Sequence, residues 1–479
     1  MLKQSFINAV LKFGAHFISL ISTILIARLM GPKILGELNF AISLIAVFKA
    51  FIINSFSSSN IFLINKNIND EKKSQNALVF LTYVTFIIYA ILILSYSFFN
   101  FFENNYLLFN VILCITISEL LAIKFITFRS YFNAKIKQFK ASFPEFILIV
   151  ITRVFQILAV FICNDLIGLA YAILLATIIS LPILKKFSPQ IHFFFPSKNF
   201  IINFIKKSLH FSTSTLVKLV PQQLDKIILE TFVVFSFLGF YTIGQMLGNT
   251  IEILSMSIGI ILFPHFTKLA NNKQIDNAID LTNNYISLFF NGFAFILFSV
   301  SFYLPDLIVF ILGQDYYLST YIILVYILIG IVSILLMPFN NICLGFGNLK
   351  KISIVNLISF LLFLLSPLFL MQFDFNQLNS IFLMSVFRLI PYLFLLVFFI
   401  KYSSVLLQFK FNKILILFLL HVAVYTLACY FIYVLDLNKF IITIGFVFIY
   451  LLLNYSFGYN LLHTYTFLKT KFLDWKKSD

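Results

Sequence analysis

Fourteen ionisable side chains stand inside stretches otherwise apolar enough to dissolve in hydrocarbon, and these are the residues with chemistry to do. Seven are basic (Arg28, Lys49, Lys124, Arg153, Lys218, Lys226, Arg388) and seven acidic (Glu37, Glu119, Glu145, Asp225, Glu230, Glu252, Asp306). A charge at the bilayer centre costs roughly 3 kcal/mol, so fourteen facing lipid would cost about 40 kcal/mol. They must face one another or a wet cavity, as a permeation path requires. Depth sorts them. Arg28, Glu37 and Asp306 lie toward one surface and Lys49, Lys124 and Glu145 toward the other, where long side chains snorkel or pair locally. Arg153, Lys218, Asp225, Lys226, Glu252 and Arg388 sit near mid-depth, where function is favoured over a static ion pair.

The stretch T-L-V-K-L-V-P-Q-Q-L-D-K-I-I-L-E (Thr215 to Glu230) is the most informative. Read as one helix, it puts Lys218, Gln222 and Asp225 on a single face, with Lys226 and Glu230 an i, i+4 pair beside them. Pro221 removes a backbone hydrogen bond there and Pro391 does so three residues after Arg388, so both read either as hinges or as static kinks. Midplane cations suit an anionic cargo, and guanidinium groups grip phosphate oxygens in bidentate fashion. The candidate cargo contacts are Arg153, Lys218 and Arg388, with Lys124, Lys226 and Gln222 beside them. Asp225, Glu252 and Glu119 are the candidates for proton or sodium coupling. The chain has no H-E-x-x-H, no nucleotide-binding G-x-x-x-x-G-K-[ST] and no G-x-S-x-G, and its six histidines are unclustered. No catalytic residue, cofactor or metal is therefore expected, and energy must come from an ion gradient or the membrane potential. Cys114, Cys163, Cys343 and Cys429 are scattered through apolar segments and read as small buried hydrophobes.

The elements that position these groups follow from composition. Of 479 residues, 61% are hydrophobic and 65 are Phe, while 11% are charged; soluble domains carry about 25%. A helix needs about 20 apolar residues to cross a bilayer, and that length finds fourteen spans: 9–30, 34–56, 77–99, 105–128, 143–163, 166–185, 211–237, 240–264, 285–311, 318–343, 351–371, 378–400, 413–434 and 439–462. The class is all-α and polytopic. With the N-terminus cytoplasmic, inner segments hold 25 of the 34 basic residues and outer loops two, Lys33 and Lys439. This distribution, and not a nucleic-acid footprint, accounts for the net charge of +16. It places both termini in the cytoplasm and the first span as a retained helix. The expected organisation is a lobe over 1–185, a cytoplasmic connector at 186–210, a second lobe over 211–401, and a helix pair with tail over 402–479. The connector is either an interfacial amphipathic helix, with Lys198, Lys206 and Lys207 toward anionic lipid, or an early start to the next span. Leu35-Gly36 near the start of the second span echoes Leu238-Gly239 near the start of the eighth, a weak sign of repeated halves.

The stretch A-R-L-M-G-P-K-I-L-G-E-L-N-F-A (Ala27 to Ala41) resembles the opening signature of polysaccharide and O-antigen repeat-unit flippases. It matches at Ala27, Arg28, Gly31, Pro32 and Gly36, with Leu35 where an aromatic is usual. L-D-K-I-I-L (Leu224 to Leu229), G-F-Y-T-I-G-Q-M-L (Gly239 to Leu247), L-F-P-H-F (Leu262 to Phe266) and I-V-F-I-L-G-Q-D-Y (Ile308 to Tyr316) resemble the same family in order and spacing. The resemblance, to the multidrug/oligosaccharidyl-lipid/polysaccharide exporter superfamily, implies two six-helix lobes in a V that work by alternating access in a bacterial inner membrane. It implies a cargo of undecaprenyl-pyrophosphate-linked oligosaccharide, held at Arg153, Lys218 and Arg388. Membrane lipid and the polysaccharide polymerase and chain-length machinery are the partners it implies, with Arg28 at the outer gate or in packing. The extra pair at 413–462 resembles peptidoglycan-precursor flippases, so that cargo or a drug is the alternative within the superfamily. From another class, a membrane glycan polymerase or ligase would need a long periplasmic loop bearing Arg and His, and outer loops here are only a few residues long.

Overall fold

The computed structural model describes all residues except 1, 67–70, 103–104, 136, 188–195, 348, 373–375, 410, 434–437 and 460–479. Most of the expected connector's first half and the cytoplasmic tail therefore lie outside the described residues. Every regular element among them is helical. In chain order these are α1 (Leu2–Phe48), a π-helical turn (Lys49–Ile53), α2 (Asn54–Lys66), α3 (Glu71–Phe101), α4 (Tyr106–Ala134), α5 (Gln138–Ile162), α6 (Leu166–Phe187), α7 (Lys198–Lys218), α8 (Pro221–Glu230) and α9 (Phe235–Asn271). There follow α10 (Ile275–Leu288), a second π turn (Phe289–Ala294), α11 (Phe295–Ser301), α12 (Leu304–Leu312), a 3-10 turn (Gln314–Tyr316), α13 (Ser319–Phe346), α14 (Leu349–Phe363), α15 (Ser366–Gln372), α16 (Gln377–Leu406), α17 (Asn412–Tyr433) and α18 (Lys439–Ser456).

Eleven helices among the described residues are long and apolar enough to cross a membrane. The first, Phe13–Ile64, covers two expected spans in 52 residues. Its bend is at Gly31, whose φ of 80° is open to glycine at little cost, with Pro32 following. The expected seventh and eighth spans are not among the eleven. The seventh is broken between α7 and α8, and side chains of 210–218 and 253–261 lie outside the described residues. The all-helical polytopic class holds, and fourteen remains the expectation from sequence.

Contacts divide the chain into two units. The first comprises Met1–Ile243, Ile311–Leu318 and Phe363–Met384. Here α7 lays Phe204 into a core of Phe56, Leu63, Ala77, Leu78 and Leu81, so it is packed on α2 and α3. Beside that core Asn60 is wholly buried. Its Nδ2 donates to Gln75 Oε1 at 2.7 Å and Ser130 Oγ at 2.8 Å, and its Oδ1 accepts from Ser74 at 2.7 Å. At the same end Lys135, between spans, bonds Glu71 at 2.6 Å and the Tyr131 hydroxyl at 2.7 Å. Those bonds, that to Glu71 foremost, hold its ammonium above the usual lysine range.

The second unit comprises Gly244–Phe310, Ser319–Leu362 and Ser385–Asp479. Its axis is α13, sheathed along nearly its whole length. Close approach comes from small residues: Gly244 faces Ile322, Gly248 faces Tyr326 and Gly330 faces Ile251, each with no room for a Cβ. The C-terminal pair α17–α18 docks on the second π turn. Tyr450 donates to the Phe290 carbonyl at 2.8 Å, Asn454 to Asn291 at 3.0 Å, and His421 stacks on Phe290. Cys114 and Cys343 are buried as expected; Cys429 is half-buried, and Cys163 is exposed at the C-cap of α5, where the helix ends beside Gly168 of α6.

Candidate functional site

In the first unit parts of three resemblance motifs meet: the Ala27–Gly36 bend, the start of α9 at Gly239 and the Ile311–Tyr316 segment. α1 and α9 cross where Gly36 meets the Phe235 carbonyl and Gly239 meets the Pro32 carbonyl. The two glycines of the internal echo thus face the same crossing. Arg28 Nη1 donates to the Ile311 carbonyl at 3.2 Å, and the Tyr316 hydroxyl donates to the Ala27 carbonyl at 3.0 Å, so the I-L-G-Q-D-Y segment ties onto the A-R-L-M-G-P bend. Arg28 is itself exposed, and this hydrogen bond fits either of its expected roles, outer gate or packing.

Asp225 sits on α8 with no solvent exposure. Its Oδ2 accepts from the Tyr241 hydroxyl at 2.7 Å and its Oδ1 from the backbone N–H of Lys226 at 2.8 Å. Lys226, also buried, sends its Nζ back one turn to the Gln222 carbonyl at 3.3 Å, away from the expected partner Glu230. The expectation of one continuous helix is corrected. Turns at Leu219 and Val220 separate α7 from α8, and Pro221 stands at the first position of α8, where a missing N–H is harmless. Spacing along a single helix therefore does not place Lys218 beside Gln222 and Asp225. The side chains of Lys218 and Lys124 lie outside the described residues.

Arg153 on α5 faces α1. Its Nε donates to Ser19 Oγ at 3.3 Å and its Nη1 to Gln156 Oε1 at 2.8 Å. Glu119 on α4 is ion-paired to Lys49 of the first π turn at 2.6 Å, and Glu145 to Arg129 at 2.7 Å. Near the opposite end Asn105 donates to Glu37 at 3.5 Å.

The second unit joins two residues that the sequence had assigned to different tasks. Glu252 on α9 accepts a short hydrogen bond from the Tyr392 hydroxyl, and the guanidinium carbon of Arg388 lies 5.9 Å from the Tyr392 ring centroid. Arg388 and Tyr392 are one turn apart on α16, and Pro391 between them is accommodated without breaking that helix. All three side chains of the cluster are buried, Arg388 to 2% exposure. Toward the extracytoplasmic end expected from the charge pattern, Asp306 is ion-paired to Lys439 at 2.7 Å.

Sequence reasoning missed the tyrosines. Tyr392 carried a signal, lying four residues after Arg388 on one helix face. Tyr241 carried none, since its contact with Asp225 spans 16 positions and a helix boundary. Among the described residues no group of three or more His, Cys, Asp or Glu is placed to hold a metal ion.

Solved structures similar to this one include a flippase and multidrug transporters. The lipid II flippase MurJ in an inward closed conformation aligns with TM-score 0.64 and 14% identity over 93% of this chain and 98% of its own. An inward-facing multidrug resistance MATE family transporter of the MOP superfamily aligns with TM-score 0.59 and 12% identity, over 82% and 96%; an outward-facing one aligns with TM-score 0.56 and 12% identity, over 84% and 96%. At these identities the likeness is one of fold. No curated protein matches the sequence. The glycine crossing of α1 with α9, the Ala27–Gly36 bend and the α8 segment all fall within residues 1–270, which match the family described as "Polysaccharide biosynthesis protein", and over more than half its length the chain belongs to that family.

Proposed function

We propose that the protein is a flippase that moves undecaprenyl-pyrophosphate-linked oligosaccharide repeat units from the cytoplasmic to the periplasmic leaflet by alternating access, for O-antigen, capsule or exopolysaccharide assembly. The observation that carries the proposal is the family match over residues 1–270 on an exporter fold that buries Arg388 and half-buries Arg153 within its apolar helices. Arg153, oriented by Gln156 and Ser19, and Arg388, oriented by Tyr392, would take the pyrophosphate oxygens, with Lys124, Lys218, Lys226 and Gln222 as further contacts. Asp225 and Glu252 would carry the coupling proton or sodium ion. Glu119 is the weaker candidate, since Lys49 already neutralises it. Pro221 and Pro391 are the proposed points of helix bending. The setting is the inner membrane of a bacterium with both termini cytoplasmic, next to the polymerase and chain-length machinery. No covalent step is required, so the protein acts as a transporter and not as an enzyme.

A deletion strain assayed for lipid-linked repeat units on each leaflet tests this. Accumulation on the cytoplasmic leaflet is expected; normal transfer with short, unpolymerised chains overturns the proposal in favour of a polymerase. Within the deletion strain, Arg153→Ala and Arg388→Ala should insert normally and fail to restore export. A second reading, transfer of a lipid-linked peptidoglycan precursor, draws support from the extent of the MurJ likeness, which covers 93% of the chain against 82% for the inward-facing multidrug transporter. Rescue of peptidoglycan synthesis in a strain lacking its own precursor flippase distinguishes the two.

A further inference from the structure

We infer that Tyr392 is a positioning residue that links cation occupancy of Glu252 to anion affinity at Arg388, so that a proton or sodium ion on the first and a phosphate-bearing group on the second bind cooperatively. The inference rests on the reading above that Arg388 meets the anionic part of the cargo.

Three observations carry it. The Tyr392 hydroxyl donates to Glu252, its ring lies beneath the Arg388 guanidinium, and the exposures of Glu252, Tyr392 and Arg388 are 8%, 1% and 2%. One phenol therefore touches both charged groups inside one unit. From α13, Tyr326 also faces this phenol, and its own hydroxyl accepts from Gln245 at 3.3 Å. Among the described residues, Tyr392 and Tyr326 are the titratable groups that face this cluster, and Arg388 is its positive charge.

The sign of the linkage follows. An ionised Glu252 pulls the phenolic proton toward itself, enriches the ring in electron density and strengthens its hold on the guanidinium. Its negative charge also cancels much of the arginine's field in a medium of low dielectric. When a proton or sodium ion neutralises Glu252, that field is released and the ring's grip loosens, leaving a positive group able to reach an anion. Linkage is reciprocal, so the anion must raise cation affinity by the same factor, of order 5–150-fold. Tyr392→Phe keeps the ring beneath the guanidinium and removes only the bond to Glu252.

The test is calorimetric binding of inorganic pyrophosphate to the full chain in nanodiscs of neutral phosphatidylcholine, from acid to alkaline pH and with or without sodium. Acid or sodium should tighten pyrophosphate binding to wild type within that 5–150-fold range. Glu252→Gln should bind tightly and show no dependence on either cation, and Tyr392→Phe should flatten the dependence several-fold. A wild-type slope in Tyr392→Phe overturns the inference, as does weaker pyrophosphate binding in Glu252→Gln, which reads the sign even if the tyrosine variant is unstable. Unchanged binding in Arg388→Ala instead removes the proposed cargo contact, a separate failure.

Discussion

The crossing of α1 with α9 gives the sharpest quantitative expectation. At Gly36 a methyl group would enter the space of the Phe235 carbonyl, and at Gly239 that of the Pro32 carbonyl. Both obstacles are backbone, so no rotamer change relieves them and one helix must move. Overpacking of this kind costs about 1–3 kcal/mol. Alanine also favours a helix interior over glycine by roughly 1 kcal/mol, which offsets only part of that cost. With the obstructing carbonyl oxygens well under 3.0 Å from the added Cβ, the upper end of that range applies, and the net expectation for Gly36→Ala or Gly239→Ala is a destabilisation of about 2 kcal/mol. Because the two methyls would widen one crossing, the double variant should lose less than the sum. Gly445 on α18 is the control, since an added Cβ there meets nothing within 4 Å. Thermal unfolding of the detergent-solubilised full chain measures all four variants. Wild-type midpoints for Gly36→Ala and Gly239→Ala, or a loss at Gly445→Ala as large as theirs, would refute the steric reasoning.

Other expectations are shorter. Asn60→Leu strands Gln75, Ser130 and Ser74 beside a buried methyl group; about 1–3 kcal/mol per abandoned polar group is expected, read as lowered thermal stability. Lys49→Glu and Glu119→Lys should each reduce accumulation in the membrane, and the double exchange should restore it; failure of the exchange to rescue would show that the pair is not what holds these charges. Asp225→Asn removes the charge and can keep only one of the two accepted bonds, from Tyr241 or from the Lys226 N–H, so uncoupler-sensitive export should vanish while insertion is retained. The Lys135–Glu71 bond raises the lysine pKa, so its stabilisation is full at neutral pH and declines as pH climbs through that raised value. A melting curve against alkaline pH should therefore fall later for wild type than the loss seen at once in Lys135→Met.

The helical class and the positions of the first six spans were legible because hydrocarbon solubility is written into composition and run length, which are local properties. The site was legible as residue types but not as partnerships. Arg153, Asp225, Glu252 and Arg388 stand out because a charge in an apolar run is rare. Gln156 and Tyr392 were reachable through helix spacing, whereas Ser19, Tyr241 and the meeting of Glu252 with the α16 cluster depend on packing between distant segments. The break ahead of Pro221 was misread for a related reason. A proline within an apolar run is equally consistent with a kink and with a first helical position, and only the turns at Leu219 and Val220 decide it. The echo of Gly36 with Gly239 is legible as a pair of matching positions, while their close contact at one helix crossing is not.

The ways in which these charges are satisfied separate stability from function. Lys49–Glu119, Arg129–Glu145 and Lys439–Asp306 are ion pairs of part-exposed side chains, in which each charge offsets the other. Arg153 is held differently, its donors going to Ser19 and Gln156, which are neutral. A neutral acceptor solvates a guanidinium without discharging it, so the burial cost stays and an anion entering the site can still recover it. The two classes should then respond oppositely to removal of charge. Lys49→Gln abandons Glu119 and should lower thermal stability, whereas Arg153→Gln removes an uncompensated charge and should leave stability equal or higher while export fails, the trade expected of a functional group. Loss of stability in Arg153→Gln with export retained would place Arg153 among the structural groups and leave Arg388 as the remaining cargo arginine.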